Sequence, residues 1–99
     1  MRLSSDQTQA IRRVAQRVLG AEARVLLFGS MALDDRRGGD IDLFFETDAQ
    51  LPNRAKTLCQ LHGALILALG DRKIDLILKD ANTPSAPIFE IAQRTGVLL

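Results

Sequence analysis

Two short apolar segments, joined by a polar stretch, constrain the fold of this chain more than any other feature. The first segment ends in Phe28-Gly29-Ser30, and nine residues later the second begins with Asp40-Ile41-Asp42. Side chains alternate between the two faces of a strand, so Asp40 and Asp42 are expected on one face and Ile41 on the other. The sequence therefore predicts two successive strands, with a tight turn after the first and two carboxylates at the start of the second.

The two carboxylates have the spacing of a metal site. Their Cα atoms are expected about 6.5–7 Å apart, so the side chains can converge on one ion or on two ions ~3.5–4 Å apart. Carboxylate oxygens favour Mg²⁺ or Mn²⁺ over zinc. The alternative is a solvated strand edge, because aspartate is depleted in strands and like charges at this distance repel each other.

A third carboxylate is expected on the same face. Along residues 72–78 the apolar side chains occupy every second position, and Asp75 falls on the opposite face. If this strand lies beside the first two carboxylates, three acids meet in one place. Asp71 and Asp80 flank the strand and are predicted to be solvated ends.

The turn after the first strand has the character of an anion site. Gly29 allows a tight turn and a close approach of the backbone to a ligand. Ser30 stands where the N-cap of a short helix near 30–35 is expected, and free N–H groups at a helix start attract anions. An ordinary serine-capped turn is the alternative. Arg36 and Arg37 are predicted to belong to a solvated loop.

The remaining chain alternates helices and strands. We expect helices at 4–20, 51–69 and 88–95, strands at 24–28, 40–46 and 72–78, and a loop at 81–87. Residues 64–69 have an alternative interpretation as a strand paired with 72–78. His62 and Cys59 fall near the apolar side of the second long helix and are predicted to be packed core residues.

Composition limits the partners. The 99 residues are predicted to form a single domain over 1–99, and the net charge of +1 does not favour binding to nucleic acid or to a membrane surface. Cys59 is the only cysteine, so no internal disulfide is possible. With no apolar run near the ~20 residues of a membrane span, the sequence predicts a cytoplasmic protein.

The combined pattern resembles the signature of the DNA polymerase β-type nucleotidyltransferase superfamily. The first part of that signature is a hydrophobic residue followed by Gly and then by Gly or Ser. After a spacer of nine to thirteen residues, the second part is Asp, a hydrophobic residue, and Asp or Glu. Phe28-Gly29-Ser30 and Asp40-Ile41-Asp42 match it, and Asp75 matches the family's third acid in context. The chain length and single-domain layout resemble those of the minimal nucleotidyltransferases, which are often paired with a HEPN-domain protein. The resemblance implies a small α/β (α+β) fold, with helices packed on a mixed sheet of three to four strands.

The resemblance also implies an activity and a partner. Asp40, Asp42 and Asp75 would be the catalytic metal ligands for two Mg²⁺ ions, with Mn²⁺ as an alternative, and Gly29 and Ser30 would hold the phosphates of ATP. AMP would pass to a hydroxyl, expected to be a tyrosine of a HEPN toxin that this antitoxin neutralises. The alternative is an antitoxin without catalysis that acts by forming a complex, and Met31 favours it because many small relatives have a basic residue there. A detached subunit of a small-molecule nucleotidyltransferase is a third alternative.

Overall fold

The computed structural model describes residues 3–28, 41–70, 72–84 and 86–99. The helices are α1 (Ser5–Leu19), α2 (Arg54–Leu69) and α3 (Pro87–Thr95). The strands are β1 (Arg24–Phe28), β2 (Ile41–Glu46), β3 (Ile74–Lys79) and β4 (Val97–Leu98). The short helix predicted near 30–35 lies outside the described residues.

The helix ends follow from local chemistry. Ser4 and Gln7 form a reciprocal capping box at the start of α1, which satisfies backbone N–H groups that have no partner inside the helix. Gly20 and Gly70 end α1 and α2 with positive φ angles of 109° and 89°, a conformation that glycine adopts without steric cost. Both glycines confirm the predicted helix ends.

The second long helix begins later than predicted. It begins at Arg54 rather than at Leu51, because the side chain of Asn53 accepts a hydrogen bond from the N–H of Lys56 and acts as the N-cap. Residues 64–69 are helical, so their alternative interpretation as a strand is wrong. A run of six apolar residues has no period that separates the two structures, and packing against β3 and α1 decides for the helix.

The strands form one mixed sheet in the order β3-β2-β1-β4. β1 is antiparallel to both of its neighbours, whereas β2 and β3 run parallel. The tail of the chain, expected to pack back or to meet a partner, supplies β4 and pairs Leu98 with Leu26. A small α+β fold with a four-stranded mixed sheet confirms the predicted fold class.

The two faces of the sheet are covered unequally. Helices α1 and α2 cover one face, where the larger core contains Ile11, Leu27, Leu43, Leu61 and Leu65, all fully buried. Helix α3 covers part of the other face, where the rings of Phe44 and Phe89 meet edge to face at 5.5 Å between centroids. No helix within the described ranges is long and apolar enough to cross a lipid bilayer.

Candidate active site

Asp42 and Asp75 are neighbours at the end of the sheet where β2 and β3 begin. The register pairs Phe28 of β1 with Asp42 of β2, and Asp42 with Asp75 of β3. Residues in register on adjacent strands point to the same face and lie about 4.8 Å apart. The predicted alternation thus brings two of the three proposed acids together on the face that α3 covers only in part.

The remaining members of the predicted site lie outside the described residues. These are Gly29, Ser30 and Asp40, together with Met31 and the two loop arginines Arg36 and Arg37. The chain leaves the described part of β1 at Phe28 and returns at Ile41, and both positions adjoin the row that contains Asp42 and Asp75. Their assignment to phosphate and metal binding stays a prediction.

The chemistry of Asp42 and Asp75 fits a hard divalent cation. Asp75 is exposed and Asp42 is half-buried, so both carboxylates lie near solvent from which an ion can enter. Two adjacent carboxylates supply the oxygen ligands that Mg²⁺ prefers, with water completing its coordination. The described ranges contain no cluster of three His, Cys, Asp or Glu side chains placed to bind a metal ion. A third protein ligand would come from residue 40, which is outside those ranges.

The opposite end of the same face has balanced charges. The row across the strands here is Arg24, Glu46 and Lys79. The guanidinium of Arg24 donates to Glu46 and to Asp48, both at 3.1 Å. These bonds, first the one to Asp48, raise the pKa of Arg24, and the same contact lowers the pKa of the Asp48 carboxyl. This end is a structural contact between strands.

Asp80, predicted to be a solvated strand end, is buried, and that prediction is wrong. Only 3% of its surface is exposed. Its carboxylate accepts hydrogen bonds from the Thr83 hydroxyl at 2.7 Å and from the backbone N–H groups of Leu51 and Asn82 at 3.0 and 3.1 Å. The Thr83 bond and then the Leu51 bond lower the pKa of Asp80. The run Asp80-Ala81-Asn82-Thr83 was the available signal, because aspartate at such a position bonds to the backbone two residues later.

His62 and Cys59 are exposed, so the prediction that they are core residues is also wrong. The core side of α2 is made by Thr57, Leu61 and Leu65. Because α2 carries apolar residues around most of its circumference, periodicity did not separate its buried side from its exposed side.

His62 and Cys59 border a groove of about 460 Å³ between α2 and β3. Asp75 borders the same groove. Ile74 and Leu76 point to the α2 face of the sheet, so the side chain of Asp75, between them, alternates to the face of Asp42. Among the described residues, the lining is Leu58, Cys59, His62, Gly63, Ile74, Asp75 and Leu76.

Comparison with known proteins identifies a family. The family model described as the nucleotidyltransferase domain matches residues 8–95, which is most of the chain. A search among curated proteins found no significant match.

Proposed function

Because the chain belongs to the nucleotidyltransferase domain family, we propose that it transfers AMP from ATP to a hydroxyl group with the help of divalent metal ions. The observation that supports this most is the register of the two parallel strands, in which Asp42 lies opposite Asp75. Asp40, Asp42 and Asp75 would hold two Mg²⁺ ions, or Mn²⁺ in their place. Bound Mg²⁺ supplies charge neutralisation on the phosphate oxygens and lowers the pKa of the attacking hydroxyl.

Each protein group has its own role in this proposal. Asp42, half-buried on β2, would orient the triphosphate side of the site, and Gly29 and Ser30 would hold the phosphates, as the resemblance implies. Asp75, exposed on the neighbouring strand, faces the acceptor and receives its proton. A bond forms between the acceptor oxygen and the α-phosphorus, the bond from that phosphorus to the bridging oxygen breaks, and pyrophosphate leaves. Positioning and charge neutralisation carry the catalysis in reactions of this kind.

We further propose that the acceptor is a tyrosine of a HEPN-domain toxin and that the chain is the antitoxin of that pair. The support is the resemblance of the motif and of the chain layout to minimal nucleotidyltransferases with HEPN partners. In this proposal, addition of AMP to the tyrosine inactivates the toxin.

The test is transfer of label from α-labelled ATP in the presence of Mg²⁺ to the co-expressed HEPN protein. Mass spectrometry would locate one added AMP on a tyrosine. Asp42→Ala is expected to abolish transfer, whereas Asp48→Ala, an exposed carboxylate at the opposite end of the sheet, is the matched control and is expected to retain it. Transfer that persists in Asp42→Ala contradicts the proposed catalytic role of the row.

A second function is supported by exposed apolar side chains. Ile88 and Ile91 of α3 are 42% and 45% exposed, and Leu98 of β4 is 66% exposed. Such side chains favour a chain that neutralises a HEPN ribonuclease by covering it, without catalysis. If inhibition of the ribonuclease is unchanged in the Asp42→Ala, Asp75→Ala double variant and the partner stays unmodified, this second function replaces the first.

A further inference from the structure

Lys73 directly precedes β3, at the same end of the sheet as the candidate active site. Its carbonyl oxygen accepts a hydrogen bond from the N–H of Ile41 at 3.0 Å, so the ladder between β2 and β3 already includes this residue. In such a ladder every second residue bonds to the neighbouring strand, so Lys73 and Asp75 have the same orientation. The backbone position of Lys73 is therefore set by the sheet, although β3 begins one residue later.

The side chain of Lys73 belongs to the face of the sheet that carries the two carboxylates. Ile74, between Lys73 and Asp75, is buried in the larger core, on the face that α1 and α2 cover. Because successive side chains point to opposite faces, Lys73 and Asp75 both point away from that core. Both residues are exposed, so a ligand can reach them from solvent.

Lys73 is close enough to reach a ligand of both carboxylates. Asp42 lies opposite Asp75 in the register, so Lys73 is the diagonal neighbour of Asp42. Strands lie ~4.8 Å apart and rise ~3.3 Å per residue, which places the Cα atoms of Lys73 and Asp42 about 8 Å apart. The charge of lysine stands at the end of a flexible four-carbon stem. An anion next to Asp42 and Asp75 is therefore within range of the Lys73 ammonium group.

Among the sheet residues that the structure describes on this face, Lys73 is the only cation at this end. The other two, Arg24 and Lys79, lie in the row at the opposite end, on either side of Glu46. Each of them is therefore near a carboxylate that belongs to its own row. Lys73 instead stands beside the row of carboxylates to which the proposed function assigns a ligand.

The proposed reaction has a use for a cation here. The triphosphate of ATP is strongly anionic, and lysine binds phosphate groups as a point charge in other nucleotide-binding proteins. The residue directly after the predicted phosphate-binding pair Gly29-Ser30 is Met31, which has no charge. A positive charge from the β3 side of the site would balance the phosphates that this pair leaves without a cation.

We propose that Lys73 binds the triphosphate of ATP, with its ammonium group on phosphate oxygens next to Asp42 and Asp75. The inference rests on the proposed function and adds a substrate-binding residue to it. The ammonium group opposes the binding of a free divalent cation, because like charges repel. It favours the binding of the complex of Mg²⁺ with a triphosphate, whose net charge is negative. Lys73 therefore changes the affinities for these two ligands in opposite directions.

Calorimetric binding of Mg²⁺–tripolyphosphate tests the inference without any turnover. Lys73→Met keeps an unbranched side chain and removes its charge, and it is expected to weaken binding about 10-fold, because a hydrogen bond from a charged group is lost. Lys73→Arg keeps the charge and is expected to retain most of the affinity. Lys79→Met is the matched control, since Lys79 lies on the same strand and face, ~20 Å away at the other end, where its charge is screened. It is expected to bind like the wild type.

A second measurement separates an effect of charge from a loss of structure. The probe is Mn²⁺ alone, without nucleotide, again followed by calorimetry. Lys73→Met is expected to bind it about 3-fold more tightly than the wild type, because a nearby positive charge has been removed. Lys79→Met is expected to bind it like the wild type. A substitution that only distorted the site would instead weaken the binding of both Mn²⁺ and Mg²⁺–tripolyphosphate.

The outcomes separate the inference from the function beneath it. If Lys73→Met binds Mg²⁺–tripolyphosphate as tightly as Lys79→Met does, Lys73 does not bind the triphosphate, and the proposed function stands as long as the wild type transfers AMP. If Lys73→Met binds both probes less tightly, its role is structural and the inference alone is overturned. If the wild type neither binds MgATP nor labels any hydroxyl, the proposed function fails and the inference falls with it.

Discussion

The two ends of the β2–β3 pair carry charged side chains on the same face of the sheet, in opposite arrangements. Where both strands begin, Asp42 lies opposite Asp75, which places like charges side by side. Where both strands finish, Glu46 lies opposite Lys79 and also accepts a hydrogen bond from Arg24. Cross-strand pairs of opposite charge stabilise a sheet, and like charges destabilise it by similar amounts.

The difference is consistent with the function proposed for one end. The end with paired charges is a structural contact between strands. In the proposed function, Asp42 and Asp75 at the other end would bind divalent cations, which would offset repulsion between adjacent carboxylates. The carboxylate of Asp80 is used for structure, since it accepts hydrogen bonds from Asn82 and Thr83 of its own loop and from Leu51 before α2.

Strand direction explains why the candidate site lies where it does. In open parallel sheets ligands bind outside the carboxyl ends of the strands. Asp42 and Asp75 instead stand near the amino ends of β2 and β3. Because β1 runs antiparallel to β2, its carboxyl end at Phe28 lies at this same end of the sheet. The described part of β1 therefore ends beside the carboxylates.

The largest expected difference is in the rate of nucleotidyl transfer, when one carboxylate at each end of the β2–β3 pair is replaced by alanine. Asp75→Ala should lower the rate of nucleotidyl transfer at least ~100-fold, because loss of a metal ligand removes several kcal/mol of transition-state stabilisation. Glu46→Ala should leave the rate near that of the wild type. Steady-state transfer at saturating MgATP measures both variants. Equal losses of transfer rate in Asp75→Ala and Glu46→Ala would contradict a functional difference between the two ends.

The next largest effect is expected for Asp80→Asn, on stability rather than on activity. Hydrogen bonds to its ionised carboxylate lower its pKa, so its contribution is fully present above the unfolded value of about 3.9 and is lost as the pH falls through the lower folded value. Urea unfolding should show the variant less stable at neutral pH, with the difference from wild type shrinking in acid. A difference that grows in acid would contradict the assigned direction. Thr83→Ala removes the hydroxyl that lowers the pKa of Asp80 most, so it should also lower the free energy of unfolding at neutral pH, by a smaller amount than Asp80→Asn.

A smaller effect is expected when the balanced end is disturbed. The Arg24–Glu46 pair is partly exposed, at 41% and 18% of the two side chains. Exposed ion pairs contribute about 0.2–1 kcal/mol and are weakened by salt. Glu46→Gln should therefore lower the free energy of unfolding by an amount in this range at low ionic strength, and the difference should diminish in high salt. A loss that is insensitive to salt would show that packing, not charge, accounts for it.

The smallest effect is expected at the end that contains Asp42 and Asp75, where a substitution should raise the free energy of unfolding rather than lower it. Without divalent ions, Asp75→Asn should raise the free energy of unfolding by a few tenths of a kcal/mol, because it removes a like charge opposite Asp42. Added Mg²⁺ should stabilise the wild type through binding to the folded state, and it should stabilise Asp75→Asn less. Thermal melts with EDTA and with Mg²⁺ measure both. If Mg²⁺ stabilises the two proteins equally, Asp75 is not a metal ligand.

Alternation and capping predicted much of this fold from the sequence, because they depend on neighbours along the chain. The capping box of Ser4 and Gln7, the glycine ends of α1 and α2, and the face shared by apolar residues of β3 are all local properties. The start of α2 was predicted three residues too early, because several polar residues precede it and only the Asn53 side chain acts as the cap.

The wrong predictions for Asp80, His62 and Cys59 all concerned burial, which depends on contacts beyond the local pattern. Asp80 is buried because Leu51, from the segment before α2, donates to it across the fold. His62 and Cys59 are exposed because α2 turns its Leu61 and Leu65 side toward the sheet, and a helix that is apolar around most of its surface does not indicate which side that is. The assignments of Gly29, Ser30 and Asp40 stay predictions.

The sequence by itself determined most of the described helices and strands, and that Asp75 lies on the face of β3 opposite its alternate apolar residues, since these depend on periods of 2 and 3.6 residues. Only the tertiary structure decided that β3 lies parallel to β2 with Asp75 opposite Asp42, and that the outer edge of β3 borders a groove. Strand order and register depend on contacts between residues distant in the chain, and a local period contains no information about which distant partner is chosen.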